Sequence, residues 1–146
     1  MERSKKLKFD RIGYWSEVKL DIVKDYATEY SKIFNAERQT NFHHVYIDAF
    51  AGTGYREVKL VDPHAIKQSL FQNDDLPTKQ EGSASLILKV EPRFDEYVFI
   101  EKSKRKVKEL QKLKSEVPDL ANDIQIIPGE ANEELVRLCR NREEWR

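Results

Sequence analysis

The feature that most constrains the fold is the run HHVYIDAF at residues 43–50, which is rich in β-branched and aromatic residues and almost without charge until Asp48. Such a run is typical of a strand buried on both faces, as the strands of parallel sheets are. Two later runs, EYVFIEK at residues 96–102 and DIQIIPGEA at residues 123–131, predict two more strands. We number these predicted strands 1, 2 and 3.

Segments with helical periodicity alternate with the strands. SASLILKV at residues 83–90 predicts a short apolar helix, residues 103–117 a helix with lysines on one side, and residues 132–145 a last helix with acidic residues in its first turn. The order strand, helix, strand, helix, strand, helix favours a parallel sheet with right-handed crossovers and helices on its faces. The sequence therefore predicts an α/β fold.

A further helix is predicted before strand 1, over residues 14–35. Apolar residues recur there at steps of three or four, which predicts one apolar face. Its members are Trp15, Val18, Ile22, Tyr26, Tyr30 and Ile33. We expect Ser16 to cap this helix. Core packing is a simpler interpretation of Trp15 and the tyrosines than stacking on a base.

The chain is expected to be a single domain spanning residues 1–146, which is the length of one domain. Residues 1–13 are predicted to be a polar tail, and residues 43–142 the body of the domain. Residues 55–81 hold two prolines, an Asn-Asp-Asp run and no sustained period, so we expect a long insertion with one short helix or strand.

Composition excludes several classes of protein. The 26 basic and 26 acidic residues balance, so no overall field attracts nucleic acid. Cys139 is the only cysteine, which excludes a disulfide framework and fits a reducing cytoplasm. No run approaches the roughly 20 apolar residues of a membrane span, and none follows the basic N-terminus as a signal peptide would require. We therefore expect a cytoplasmic protein without membrane insertion.

Two glycines follow strand 1, in the stretch DAFAGTG that starts at Asp48. Glycines after a strand let the backbone approach a nucleotide closely, and an acidic residue there accepts hydrogen bonds from hydroxyl or ammonium groups. The dinucleotide pattern G-x-G-x-x-G is incomplete, because Arg56 and Glu57 stand where it should continue. NAD and FAD are therefore disfavoured, and a plain turn is the alternative interpretation of Gly52 and Gly54.

Acidic residues also end the other two predicted strands. Glu101 closes strand 2, where a carboxylate can bind two neighbouring ribose hydroxyls. Glu130 follows strand 3 and could accept a hydrogen bond from an adenine amine. Taken alone, Glu101 is equally well a solvated charge, and a residue such as Glu130 is more often a surface residue than part of a site. The prediction of a nucleotide site rests on all three acidic strand ends occurring in order.

No metal site is predicted. His43, His44 and His64 form no i, i+4 pair with a carboxylate that would indicate metal ligands. The lysines of residues 102–114 are most simply a solvated helix face.

Together these segments resemble the S-adenosylmethionine-dependent methyltransferase superfamily and, within it, the three-Cys-motif partner protein family. The resemblance covers roughly residues 12–138. It is carried by GYWSEVKLDIVKDYATEYSKIF, by YIDAFAGTG, by the GS after the insertion, by EYVFIEK and by PGEAN. The first two segments are the more specific ones, and PGEAN is generic.

The resemblance implies a Rossmann-like methyltransferase fold and S-adenosyl-L-methionine as the cofactor. Asp48 and the backbone of the glycine turn would hold the methionine part, the turn residues being Phe50, Ala51, Gly52, Thr53 and Gly54. Glu101 would bind the ribose hydroxyls, and Glu130 with Ala131 the adenine edge. Lys19 and Trp15 would close over the cofactor. Family members act beside a partner carrying a three-cysteine motif.

Two departures from the family pattern matter. Glu130 stands where an aspartate is usual, which lengthens the reach to adenine by one methylene. The family pattern has a fourth strand next to strand 1, ending in a segment that faces the transferable methyl. The sequence as given ends at Arg146 before such a segment, so we expect an incomplete fold with strands in the order 3-2-1 and strand 1 at an edge.

Three functions are open on this basis. The first is the cofactor-binding half of a methyltransferase, with its exposed edge covered by a second chain or a second copy. The second is an inactive module that binds cofactor or protein, and the third a nucleotide-binding scaffold. The sequence identifies neither a catalytic base nor the methyl acceptor. It shows no RNA-recognition aromatic motif or helix-turn-helix.

Overall fold

A computed structural model describes residues 11–36, 43–57 and 79–141. Four helices and five strands are present in these ranges, together with a short 3₁₀ turn at Ala121–Asp123. The helices are α1 (Arg11–Ala36), α2 (Ser83–Ile87), α3 (Lys104–Glu116) and α4 (Ala131–Asn141). The strands are β1 (Val45–Asp48), β2 (Tyr55–Glu57), β3 (Lys79–Glu81), β4 (Glu96–Glu101) and β5 (Ile124–Pro128).

The central sheet has three parallel strands in the order β1-β4-β5. Predicted strands 1, 2 and 3 correspond to β1, β4 and β5, so the α/β class and the order 3-2-1 are confirmed. Val45 pairs with Glu96, and Tyr97 pairs with Ile124. Within the described residues β1 lies at one edge of this sheet.

Helices cover the two faces of the sheet unequally. On the first face, Tyr97 and Phe99 are fully buried beneath residues of α1, α2 and α3, including Ala27, Ile87 and Leu110. The second face carries Val98 and Ile100, which pack against Leu138 of α4. On β1 the second-face residues Val45 and Ile47 are only partly buried. The better-covered face is therefore the one that carries the aromatic side chains.

The buried side of α1 differs from the predicted one. Ile22, Tyr26 and Ile33 are 61%, 72% and 61% exposed, whereas Ala27 and Ser31 are buried. Tyr30, which was predicted correctly to face inward, stacks on Phe94 at a centroid distance of 6.1 Å. The buried face is thus turned from the predicted face by about one residue, or roughly 100°.

The reason for this rotation is close packing. The Ser31 hydroxyl donates a hydrogen bond to the Pro92 carbonyl oxygen, so the backbone of residue 92 lies directly against α1. Small side chains one helical turn apart, Ala27 and Ser31, allow that approach, and the larger Ile and Tyr residues of the predicted face do not. The prediction for Ser16 was also wrong, because α1 begins at Arg11 and Ser16 lies inside the helix, beyond the unpaired N–H groups that a cap serves.

The predicted insertion begins and ends in regular structure. β2 and β3 form an antiparallel ladder in which Tyr55 pairs with Glu81 and Glu57 with Lys79. The sequence predicted one short helix or strand within residues 55–81, and the structure has a short strand at each end. Residues 58–78 lie outside the described part. The Gly82 N–H donates to the Gly54 carbonyl oxygen at 2.8 Å, which returns the chain to the glycine turn.

Two predicted helices have different bounds in the structure. The short apolar helix ends at Ile87 rather than at residue 90, and the next residues continue it only as turns. The last helix begins at Ala131, one residue before the predicted start, and is described as far as Asn141; residues 142–145 lie outside the described part.

Candidate functional site

Three carboxylates occupy the carboxyl ends of the three parallel strands. Asp48 is the last residue of β1, Glu101 is the last residue of β4, and Glu130 follows Pro128, the last residue of β5. Because neighbouring parallel strands end at the same edge of a sheet, these residues lie along one edge. In open α/β sheets, the crevice outside this edge is where ligands bind.

The Asp48 carboxylate is held on both sides. Its Oδ1 accepts a hydrogen bond of 3.0 Å from the Phe50 N–H, and its Oδ2 accepts one of 2.7 Å from the Ser83 hydroxyl. The first contact closes the turn after β1, and the second joins this turn to the start of α2. Sequence reasoning did not identify Ser83 as a site residue, although the GS pair at residues 82–83 was noted as a motif.

The two glycines of the turn differ in their surroundings. Both have positive φ angles, +67° at Gly52 and +77° at Gly54, which L-residues adopt with strain. A Cβ on Gly54 would lie 2.6 Å from Leu113 Cδ2, so Gly54 lets α3 pack against the turn. A Cβ on Gly52 would meet no described atom within 4 Å. Gly52 therefore leaves open space beside the strand ends.

The other turn residues alternate between buried and exposed positions. Ala51 is 4% exposed, and its N–H donates to the Ile100 carbonyl oxygen at 3.2 Å, which continues the pairing of β1 with β4. Phe50 is 81% exposed, which is unusual for so large an apolar side chain. Thr53 is partly buried. Phe50 therefore lies at the surface of the candidate site.

Glu101 connects the glycine turn to the end of β4. Its Oε2 accepts a hydrogen bond from the Gly52 N–H at 3.0 Å, and its Oε1 accepts one from the Ser103 N–H at 2.8 Å. An ionised carboxylate has about four lone-pair positions, so each oxygen can accept one more hydrogen bond. Glu101 can therefore bind two hydroxyl groups while it keeps both contacts with the backbone.

Glu130 lies at the N-terminus of α4. Its Oε2 accepts a hydrogen bond from the Glu133 N–H at 3.0 Å, which is the contact of a helix N-cap. A carboxylate there also interacts favourably with the helix dipole. Ala131, the first residue of α4, is 5% exposed. An acidic residue just before a predicted helix is the sequence signal for this capping role, which our sequence reasoning missed.

Gly129 lies between β5 and Glu130 and allows the Glu134 side chain to come close to the backbone. A Cβ at this position would lie 2.6 Å from Glu134 Cγ. Glu134 is only 8% exposed, and both of its carboxylate oxygens accept hydrogen bonds from Arg137 Nη1, at 2.9 and 3.0 Å. The missing side chain at Gly129 therefore makes room for the buried acidic residue of α4.

Two predicted site residues lie on α1. Lys19 is exposed, and the described contacts include no hydrogen bond or ion pair between it and the strand-end carboxylates. The Trp15 side chain lies outside the described part of the structure. Their predicted closure over a cofactor stays a prediction.

Negative charge affects the ionisation of a neighbouring tyrosine. Burial, reinforced by the charge of Asp48, raises the pKa of Tyr46 to about 12. At the end of the β2–β3 ladder, a hydrogen bond from Lys89 lowers the pKa of Glu81. The carboxylates along the strand-end edge would attract a cationic group such as an ammonium or sulfonium.

Two features are absent from residues 11–36, 43–57 and 79–141. These residues contain no group of three or more His, Cys, Asp or Glu side chains arranged to hold a metal ion. No helix among them is long and apolar enough to cross a membrane. An open depression of about 600 Å³ does lie along α4, lined by Asn132, Glu133, Val136, Arg137, Arg140 and Asn141. It includes none of the strand-end carboxylates, so the candidate site is identified by its chemistry and not by this depression.

The fold and the strand-end edge define a class of architecture. The chain is an α/β protein with a three-stranded parallel sheet flanked by helices, an arrangement compatible with a Rossmann-like fold. Comparison of the chain with protein-family models, curated proteins and solved structures gave no match. Function must therefore be argued from the site itself.

Proposed function

We propose that this chain is the cofactor-binding half of a methyltransferase-like protein that uses S-adenosyl-L-methionine. One observation carries the proposal. Asp48, Glu101 and Glu130 end three neighbouring parallel strands, and the glycine turn between the first two is open at Gly52. The sequence resemblance to three-Cys-motif partner proteins supports the same cofactor.

The donor set fits the three parts of this cofactor. The Asp48 carboxylate would receive the ammonium group of the methionine part, beside the backbone of residues 50–54. Glu101 has an unused acceptor position on each oxygen for the two ribose hydroxyls. Glu130, with the neighbouring Ala131, would meet the adenine edge. When bound, the cofactor supplies an electrophilic methyl group on sulfur.

This chain's own contribution to transfer would be positioning. A glycine turn anchored by Glu101 and Asp48 fixes where the methionine part and the ribose lie, and fixed reacting groups lower the entropic part of a barrier. We assign no general base.

A second protein chain is proposed at the β1 edge. Val45 and Ile47 on the second face of β1 are only partly buried, and no described strand pairs with the outer side of β1. An apolar strand at an edge is a surface for pairing with another chain. We propose a three-Cys-motif protein as this partner, with a second copy of the chain as the alternative. The balanced overall charge does not favour nucleic acid as the methyl acceptor.

A specific observation favours a second candidate function, a scaffold without cofactor. Both Glu101 oxygens already accept backbone hydrogen bonds, and Glu130 already caps α4. Each carboxylate thus has a structural reason to be present. The two candidates differ in one measurable respect, because only the first predicts that S-adenosylmethionine stabilises the protein.

Thermal unfolding with added ligands separates the candidates. At a hundredfold excess over its dissociation constant, a ligand that binds only the native state stabilises it by about 2.7 kcal/mol. We expect S-adenosylmethionine and S-adenosylhomocysteine to raise Tm by several degrees and NAD to leave it unchanged. Asp48→Ala should reduce the shift, whereas Glu133→Ala, on the exposed side of α4, should retain it. A folded wild-type protein with no shift for either ligand would favour the scaffold.

A further inference from the structure

The Ser83 hydroxyl is used in an unexpected way. Serine at the start of a helix ordinarily accepts a hydrogen bond from an N–H of the first turn. In α2 no side chain makes such a cap contact, and the N-cap residue is Gly82. The Ser83 hydroxyl instead donates to Asp48 Oδ2 at 2.7 Å, across 35 residues of sequence.

The surrounding contacts fix Ser83 in place. The preceding residue, Gly82, donates its N–H to the Gly54 carbonyl oxygen, and the Leu86 N–H donates to the Gly82 carbonyl oxygen. On the N-terminal side, Glu81 pairs with Tyr55 in the β2–β3 ladder. Backbone contacts of the residues before and after Ser83 therefore hold its hydroxyl next to Asp48.

Two donors consequently set the orientation of the Asp48 carboxylate. The Phe50 N–H holds Oδ1 and the Ser83 hydroxyl holds Oδ2, so the carboxylate cannot rotate without breaking one of them. Each oxygen retains an unused acceptor position. A carboxylate fixed in this way presents the same pair of positions to an incoming ammonium group.

We infer that Ser83 is a positioning residue for the amino-acid part of the cofactor, acting through Asp48. The inference rests on the proposed function. It extends that function by assigning a role to Ser83, which begins α2 just after the β2–β3 ladder. Ser83 itself needs no contact with the ligand, since its effect is on the orientation of the Asp48 carboxylate.

The test compares two ligands that differ only in the amino-acid part. S-adenosylhomocysteine carries the ammonium and carboxylate groups, whereas 5′-methylthioadenosine keeps the adenine, ribose and thioether but lacks them. We expect Ser83→Ala to weaken S-adenosylhomocysteine binding about tenfold, the loss typical of one hydrogen bond to a charged group. Binding of 5′-methylthioadenosine by the same variant should change by less than about twofold, as Glu101 is untouched. Isothermal titration calorimetry measures both.

The chain offers a matched control and a rescue. Ser85 belongs to the same helix, is 3% exposed, and donates its hydroxyl to Glu81 Oε1 rather than to Asp48. Ser85→Ala should therefore leave S-adenosylhomocysteine binding unchanged. Ser83→Thr keeps the hydroxyl and should bind like the wild type. If Ser83→Ala fails to fold, Ser83→Cys replaces it, because the thiol keeps the volume and is a weak donor.

The outcomes separate this inference from the proposed function. A selective loss for S-adenosylhomocysteine in Ser83→Ala, restored in Ser83→Thr, supports it. Unchanged binding in Ser83→Ala, or an equal loss for both ligands, overturns the positioning role and leaves the proposed function standing. A wild-type protein that binds neither ligand overturns the proposed function and, with it, this inference.

Discussion

The Gly52 N–H donates a hydrogen bond of 3.0 Å to Glu101 Oε2, so the turn after β1 is tied to the end of β4 by the carboxylate proposed to bind ribose. The same carboxylate receives the Ser103 N–H from the turn that leads into α3. Glu101 therefore organises the site whether or not a ligand is present. Its removal should affect folding as well as binding.

The first prediction concerns stability without ligand. Glu101→Gln replaces one acceptor oxygen by an NH₂ group and leaves one backbone N–H without its partner. We expect a loss of about 1–3 kcal/mol in the free energy of unfolding, measured by urea denaturation. Glu133→Gln is the control, because that side chain is exposed on α4. Equal stability of the Glu101 variant and the control would show that the lost hydrogen bond contributes nothing.

The two turn glycines should respond differently to alanine. Gly52→Ala should cost only the strain of a positive φ, about 1–2 kcal/mol. Gly54→Ala should cost about 1–3 kcal/mol more, because its Cβ meets buried Leu113. The double variant Gly54→Ala/Leu113→Ala should be less destabilised than the sum of its single changes. Strictly additive costs would mean that Gly54 and Leu113 do not compete for space.

On α1, replacing a buried small residue should lower the free energy of unfolding more than replacing an exposed large one. Ile33→Ser changes an exposed side chain, so we expect an effect within about 0.5 kcal/mol. Ala27→Leu inserts volume where α1 packs closely, and should destabilise by about 1–3 kcal/mol. Chemical denaturation of both variants checks the orientation of the helix. If Ile33→Ser were the more destabilising change, the buried face of α1 would be the one predicted from the sequence.

Alkaline pH should reveal the burial of Tyr46. Its pKa is raised from 10 to about 12 in the folded state, so its contribution to stability is complete below pH 10 and is lost as pH rises through 10 towards 12. The wild type should lose about 1 kcal/mol more than Tyr46→Phe between pH 9 and pH 11. Urea denaturation at each pH measures the difference. The pKa of Tyr97 is also raised, but Tyr97 is present in both proteins and affects both equally. If the stability of the wild type and of Tyr46→Phe fell equally between pH 9 and pH 11, the raised pKa of Tyr46 would be contradicted.

Sequence reasoning succeeded where local pattern and a general topological rule agree. The apolar runs around Val45, Val98 and Ile126 predict parallel strands, and parallel neighbours necessarily bring Asp48 and Glu101 to the same edge. Their order in the sheet was likewise confirmed. These features depend on residues close together in the chain.

The features that were missed depend on residues distant in the sequence. The buried side of α1 is decided by the backbone at Pro92, which no periodicity within the helix encodes. The β2–β3 ladder joins residues on either side of a long segment, and the Ser83–Asp48 bond joins two motifs whose contact no spacing indicates. Glu130 caps α4 and is also the proposed adenine contact, and the sequence pattern alone does not separate the two roles.

Direct binding of S-adenosylhomocysteine tests the central claim most sharply. Isothermal titration of the wild type should give one site per chain. Glu101→Ala should weaken this binding by about tenfold or more, because two acceptors for ribose are removed together. Glu133→Ala should bind like the wild type. Saturable binding that is weakened in the Glu101 variant and retained in the Glu133 variant is the predicted result, and a folded wild-type protein that takes up no ligand would contradict the account.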